Sequence, residues 1–126
     1  MTMLTSLGTE RMGGHTGPIE VSQFDARALE AELRGKIRGE IRFDDGSRAL
    51  YATDASNYRQ VPIGVVVPRD EEDVIETMAA ARRFGAPVLG RGGGTSLAGQ
   101  CCNVAVVMDF SKYMRDILEL DPHNKR

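Results

Sequence analysis

The sequence predicts an α/β fold, with a small, mostly parallel sheet flanked by helices. Three observations carry this reading. Val65-Val66-Val67 is an unbroken β-branched run, the pattern of a strand buried on both faces. An amphipathic stretch follows from Asp70 to about Phe84 and closes on Gly85, a natural left-handed helix stop. Pro87-Val88-Leu89 and Val104–Met108 are further short apolar runs, separated by a glycine-rich segment. A strand–helix–strand order with short links implies parallel pairing and a right-handed crossover.

Each element has local support. Residues 1–22 are rich in Gly, Thr and Ser without periodicity, which predicts a flexible tail. From Phe24 to about Ile37, the residues Phe24, Ala28, Leu29 and Leu33 share one helical face, with Ser22 or Asp25 as the cap. Asp44-Asp45-Gly46-Ser47 signals a turn, and Ser47 is a candidate cap for a short helix through Leu50 and Tyr51. Asp70 is placed to cap the main helix, with Glu71, Glu72 and Asp73 complementing its positive end. Val74, Ile75, Met78, Ala79 and Ala81 supply that helix's apolar stripe, and Met78 and Met108 are expected in the core. Ile117–Leu120 reads as the start of a fourth strand.

Composition excludes several classes. The chain has 126 residues, 41% apolar and 27% charged, enough for one modest core. No apolar run approaches the roughly 20 residues of a membrane span. The net charge of −2 leaves no overall basic footprint for nucleic acid. Cys101 and Cys102 are adjacent, so they rarely bridge each other, and two cysteines supply no zinc or iron–sulfur set. His15 and His123 lie far from any ligand cluster. A secretory signal is not seen in the N-terminal segment. The expectation is a reduced, cytoplasmic protein, with peripheral attachment to the inner membrane inside a complex as the variant reading.

The chemistry concentrates in Gly90-Arg91-Gly92-Gly93-Gly94-Thr95-Ser96-Leu97-Ala98-Gly99-Gln100. Consecutive glycines admit positive φ and close approach of a ligand. Successive N–H groups in such a turn converge into an anion nest, Thr95 and Ser96 add hydroxyl donors, and Arg91 adds positive charge. The loop follows a strand of a parallel unit, where ligands bind in open α/β sheets. Two familiar phosphate loops fail. Gly94 and Gly99 have the Walker spacing, but Gln100 and Cys101 stand where Lys and Ser/Thr are needed. Thr95 replaces the last glycine of the dinucleotide fingerprint that begins at Gly90. Asp54, Tyr58 and Arg59 either face a ligand or form a self-bonded turn, the commoner role for such runs. Asp109 is read as the cap of a turn at Ser111–Tyr113, and Cys101 as inert packing.

Taken in order, these segments resemble a known family. Ala52–Arg59, Val65-Val66-Val67-Pro68, the helix from Asp70, Ala86-Pro87-Val88, Arg91–Gln100 and Val106-Val107-Met108-Asp109 are similar to the PCMH-type FAD-binding domain of the vanillyl-alcohol oxidase superfamily. Within it, the FAD-linked oxidase branch of D-lactate dehydrogenase and glycolate oxidase is the nearest in flavour. The resemblance runs from about Leu29 to Leu120. It implies that residues 23–126 form the first of two α/β subdomains holding FAD between them, with the second subdomain and the substrate domain missing. It places Arg91, Gly92, Gly93, Gly94, Thr95, Ser96 and Leu97 on the diphosphate, Gln100 and Cys101 close by, and Pro68 toward the adenine. Some relatives carry a flavin-linked histidine where this chain has Thr95, so the FAD here is expected to be non-covalent. No catalytic residue is assigned.

The implied function is the FAD-binding portion of an oxidoreductase acting on a small D-2-hydroxy acid, inactive as this fragment alone. The competing reading is a non-catalytic α/β module for a nucleotide or phosphate, or an interaction domain. A half-domain leaves an apolar face for its missing partner, through which it would otherwise dimerise, whereas a self-contained module is polar all round. The stop shortly after Leu120 reads as a cut near the join of two subdomains.

Overall fold

A computed structural model of the chain describes residues 25–126. The expected tail, the Ser22 cap and Phe24 lie outside the described residues. Seven elements follow: α1 (Ala26–Arg34), β1 (Glu40–Arg42), α2 (Asp45–Leu50), β2 (Gly64–Val67), α3 (Glu71–Phe84), β3 (Val88–Arg91) and β4 (Val106–Asp109). The α/β class stands. The sheet is mixed, ordered β1-β2-β4-β3, with β1 antiparallel to β2 and the other two pairings parallel.

Local chemistry sets the helix ends. Asp25 caps α1 by accepting from the N–H groups of Arg27 and Ala28. Asp44, rather than the expected Ser47, caps α2. Its carboxylate accepts the Ser47 N–H at 2.8 Å, so Ser47 is the capped residue, not the cap. Asp70 caps α3 as expected, and Gly85 ends it with φ 66°. Asp73 does more than complement the helix end. Buried, it accepts the Arg38 and Arg69 N–H groups, one on each oxygen at 2.9 Å, tying the α1–β1 link to the start of α3.

Packing uses both sheet faces. Val66, Val106 and Met108 point to one side, where Leu29 and Leu33 of α1 and Ala80 and Ala81 of α3 cover them. Val65, Val67 and Val107 point to the other, under Tyr51, Leu89 and Tyr113. Every residue of β2 and β4 is buried, which explains the unbroken apolar runs Val65-Val66-Val67 and Val106-Val107-Met108. The buried stripe of α3 is Asp73, Thr77, Ala80 and Ala81, so the expected stripe is rotated. Met108 is core as expected, but Met78 is 48% exposed and Ile75 points outward. Small residues face the sheet because they let the helix approach closely.

Two further expectations are corrected, and one strand has no counterpart among them. β2 and β3 do not pair; β4 lies between them, so the strand–helix–strand unit spans a gap filled by the last strand. β1 is not legible in the sequence because three half-buried residues show no usable alternation, and its strand character comes from pairing with Val65–Val67. Ile117–Leu120 forms no strand. Ile117, Leu118 and Leu120 are largely exposed, without a ladder partner among the described residues.

β1 also anchors the C-terminal turn. Glu40 accepts from the Lys112 ammonium, the Tyr113 hydroxyl (2.7 Å) and Arg42. These donors, Lys112 foremost, hold its carboxyl down at about 2 against an ordinary 4.5. A depressed carboxylate gives stability that is complete above pH 4.5 and is lost as pH falls toward 2. Denaturant midpoints are therefore expected to fall across that window, and Glu40→Gln to flatten the fall. A wild-type slope that Glu40→Gln leaves unchanged would assign the acid sensitivity to other carboxylates.

Candidate functional site

Parallel pairing of β2, β4 and β3 brings their C-terminal ends to one sheet edge. Val66 and Gly90 both register with Met108, so Pro68, Arg91 and Asp109 emerge together. The glycine-rich segment leaves this edge after Arg91 and returns to β4 at Val106. It has no helix or strand of its own, because glycine favours neither.

Arg91 sits beneath the loop rather than at its rim. Its Nη1 donates to the Cys101 carbonyl at 3.1 Å and the Tyr51 carbonyl at 3.4 Å, and its Nη2 to the Thr53 carbonyl at 2.9 Å. The guanidinium also lies over the Tyr51 ring, 5.2 Å from its centroid. The planar fork reaches three carbonyls, two in the segment after α2 and one beyond the loop, and its fixed donor geometry loses less freedom in doing so than a flexible ammonium would. Gly94 completes the fit. Its φ is 68°, and a β-carbon there would meet Arg91 Nη2 at 2.5 Å.

Asp109 balances this charge. It accepts the Tyr51 hydroxyl at 2.6 Å and the N–H and hydroxyl of Ser111 at 2.8 and 2.6 Å. Burial pulls its pKa up, but the bonds from Ser111 and Tyr51 and the nearby Arg91 outweigh it, and the net shift is downward. The Tyr51 hydroxyl is pushed up to about 12, first by burial and then by Asp109. The capping role expected of Asp109 is what the geometry shows. The Tyr51 contact has no local signal in the sequence, because its partner lies 58 positions away.

The outer side of the loop is open. A β-carbon on Gly92 would meet nothing within 4 Å, and one on Gly93 only the Thr95 methyl at 3.6 Å. Among the described residues, the N–H groups of Gly92 through Leu97 have no hydrogen-bond acceptor. Six consecutive donors on an exposed, side-chain-poor backbone fit the anionic oxygens of a diphosphate. Thr95 is exposed; the Ser96 hydroxyl lies 3.1 Å from Cys101 Sγ; Leu97 is 82% exposed. Gln100 folds back, its side-chain oxygen accepting the Ala98 N–H at 3.2 Å. Pro68 reaches the same sheet edge, with its ring fully buried. Burial pushes the neighbouring Cys102 thiol up, with Asp54 adding to it.

The Asp54 region proves to be more than a self-bonded turn. Asp54 accepts the Ser56 N–H at 2.9 Å, and its other oxygen accepts the Cys101 N–H at 3.2 Å. Ala55 N–H donates to the Gly94 carbonyl at 3.1 Å. Tyr58 is largely exposed. Among the described residues no His/Cys/Asp/Glu group has metal-site geometry, and no helix is long and apolar enough to cross a membrane.

Comparison with known proteins bears on the family of the chain. The chain is 38% identical over 96 residues to a D-2-hydroxyglutarate dehydrogenase of Pseudomonas putida, covering 74% of this chain and 10% of that protein. It is 32% identical to a glycolate oxidase subunit of Bacillus subtilis, over 71% of this chain and 20% of that one. An Escherichia coli glycolate oxidase subunit is 31% identical over 98% of this chain and 24% of its own length. The chain thus spans between a tenth and a quarter of these relatives. In structure, a BBE-like 1 protein of Physcomitrella patens superposes with a TM-score of 0.53 at 21% identity, over 64% of this chain and 18% of that one, which speaks to the fold. The FAD binding domain family matches residues 62–126, from the approach to β2 through the whole glycine loop, and the chain belongs to that family.

Proposed function

We propose that the chain is the diphosphate-holding part of an FAD-dependent oxidoreductase that oxidises a small D-2-hydroxy acid. The observation that carries this is the run of acceptor-free N–H groups from Gly92 to Leu97, set on an open, glycine-lined backbone. Bound FAD supplies the hydride acceptor for the α-carbon of such an acid. The chain's own residues bind and orient. The loop N–H groups hold the diphosphate oxygens, with the Thr95 and Ser96 hydroxyls beside them. Arg91, whose Nη1 and Nη2 donate to carbonyls below, shapes the loop instead of meeting the anion directly. Threonine cannot form a histidine-type flavin bond, so the cofactor is held at Thr95 without covalent attachment. The hydroxy-acid substrate class rests on the relatives, which include D-2-hydroxyglutarate and glycolate enzymes. The exposed side chains of Ile117, Leu118 and Leu120, close together in sequence, favour this reading over a self-contained module, which would be polar there.

The test is a titration of the isotopically labelled chain with ADP, FAD and riboflavin, followed by amide NMR. ADP and FAD are expected to shift the amides of residues 92–97, and riboflavin, which has no phosphate, to leave them in place. Absence of any shift with ADP or FAD up to roughly millimolar concentration overturns the assignment of this loop.

A further inference from the structure

The segment between α2 and β2 touches the glycine loop at points that no reading of the loop itself would reveal. It is pinned to itself first. The Asp54 carboxylate closes a turn on Ser56, Gln60 N–H donates to the Ala52 carbonyl at 2.9 Å, and Thr53 bridges Arg59. It then reaches across. One Asp54 oxygen takes the Cys101 N–H, Ala55 N–H donates to the Gly94 carbonyl, and the Thr53 carbonyl takes Arg91 Nη2. Gly94 lies within, and Cys101 just beyond, the stretch whose N–H groups have no acceptor among the described residues. Their separation is therefore fixed by a segment some 40 residues earlier in sequence.

We infer that Asp54 is a positioning residue for the diphosphate loop, its carboxylate fastening the far end of the loop at Cys101 so that the N–H groups of residues 92–97 are arranged before any ligand arrives. This rests on the loop being an anion site. A flexible glycine run loses much conformational entropy on binding, and fixing its ends in advance removes much of that cost. The carboxylate suits the task because both of its oxygens accept, one from the Ser56 turn and one from Cys101. An asparagine of the same shape accepts on one oxygen only, so it can keep the turn or the latch but not both. The low pKa of Asp54, set first by Ser56, keeps both acceptors ionised at neutral pH.

Amide hydrogen exchange and ADP titration of the full chain test this, on wild type and Asp54→Asn. In wild type without ligand, the Cys101 amide is expected to be protected. In Asp54→Asn, its exchange should quicken and ADP affinity should fall about tenfold, as for loss of one charge-assisted hydrogen bond. Amides of α3 and β4 should keep their protection. Three results overturn the proposal. One is an unprotected Cys101 amide in free wild type, which needs no variant to fold. The second is faster Cys101 exchange with unchanged ADP affinity, which makes the contact merely structural. The third is lost protection across α3 and β4, which makes Asp54 a determinant of the whole fold. If wild type binds ADP in any of these cases, the loop assignment stands while the positioning role falls. If wild type with a protected Cys101 amide binds no ADP, the loop assignment itself fails and takes the positioning role with it.

Discussion

Arg91→Met is expected to lower the melting temperature by roughly 10 °C and to remove ADP binding at the glycine loop. Methionine keeps an apolar stem but loses the guanidinium, including its position over the Tyr51 ring, so the loss reports on that group. Three carbonyls, of Tyr51, Thr53 and Cys101, lose their donor, and Asp109 loses its nearby positive charge. Hydrogen bonds from a charged donor are worth roughly 1.5–3 kcal/mol each. The group is partly exposed, so water replaces some of them, and a total of about 3 kcal/mol is the expectation. Arg91→Lys should restore charge without the fork and recover less than half of the loss. A variant melting within about 2 °C of wild type would show that the loop holds its shape without the arginine.

Gly39→Ala is expected to destabilise the fold by about 3 kcal/mol, through a different part of the molecule. The new methyl would land on the Val67 carbonyl oxygen, and lie 3.0 Å from Asp73 Oδ2 and 3.1 Å from the Pro68 Cα. Two of these neighbours are backbone at the end of a buried strand and cannot step aside. The third is the carboxylate that holds the Arg38 and Arg69 N–H groups. Either β1 peels from β2, or the Asp73 clasp opens. Urea denaturation should show a lower midpoint with an unchanged slope. A shift below about 0.5 kcal/mol would mean that the α1–β1 link moves more freely than its contacts imply.

Legibility in the sequence follows the range of each interaction. The caps at Asp25 and Asp70 and the stop at Gly85 are readable because their partners lie within four residues. β2 and β4 are readable because burial on both faces leaves a nearly continuous apolar run. The glycine loop is readable as a candidate site because its chemistry lies in consecutive backbone groups. Met78 misleads because α3 puts its small residues inward, and the larger apolar side chain mimics a core position. Ile117–Leu120 has the apolar pattern of a strand, but a ladder needs a partner, and none stands beside it among the described residues.

The sequence by itself therefore determined the α/β class, the main helix and its ends, the two central strands and the extent of the glycine-rich loop between them. Only the tertiary structure decided that β4 lies between β2 and β3, that Arg91 serves three carbonyls under the loop, and that Asp54 fastens Cys101 from 47 residues away. The reason is physical. Propensity, capping and burial patterns are written in neighbouring residues, whereas a guanidinium or carboxylate takes whichever acceptor or donor the finished packing brings to it.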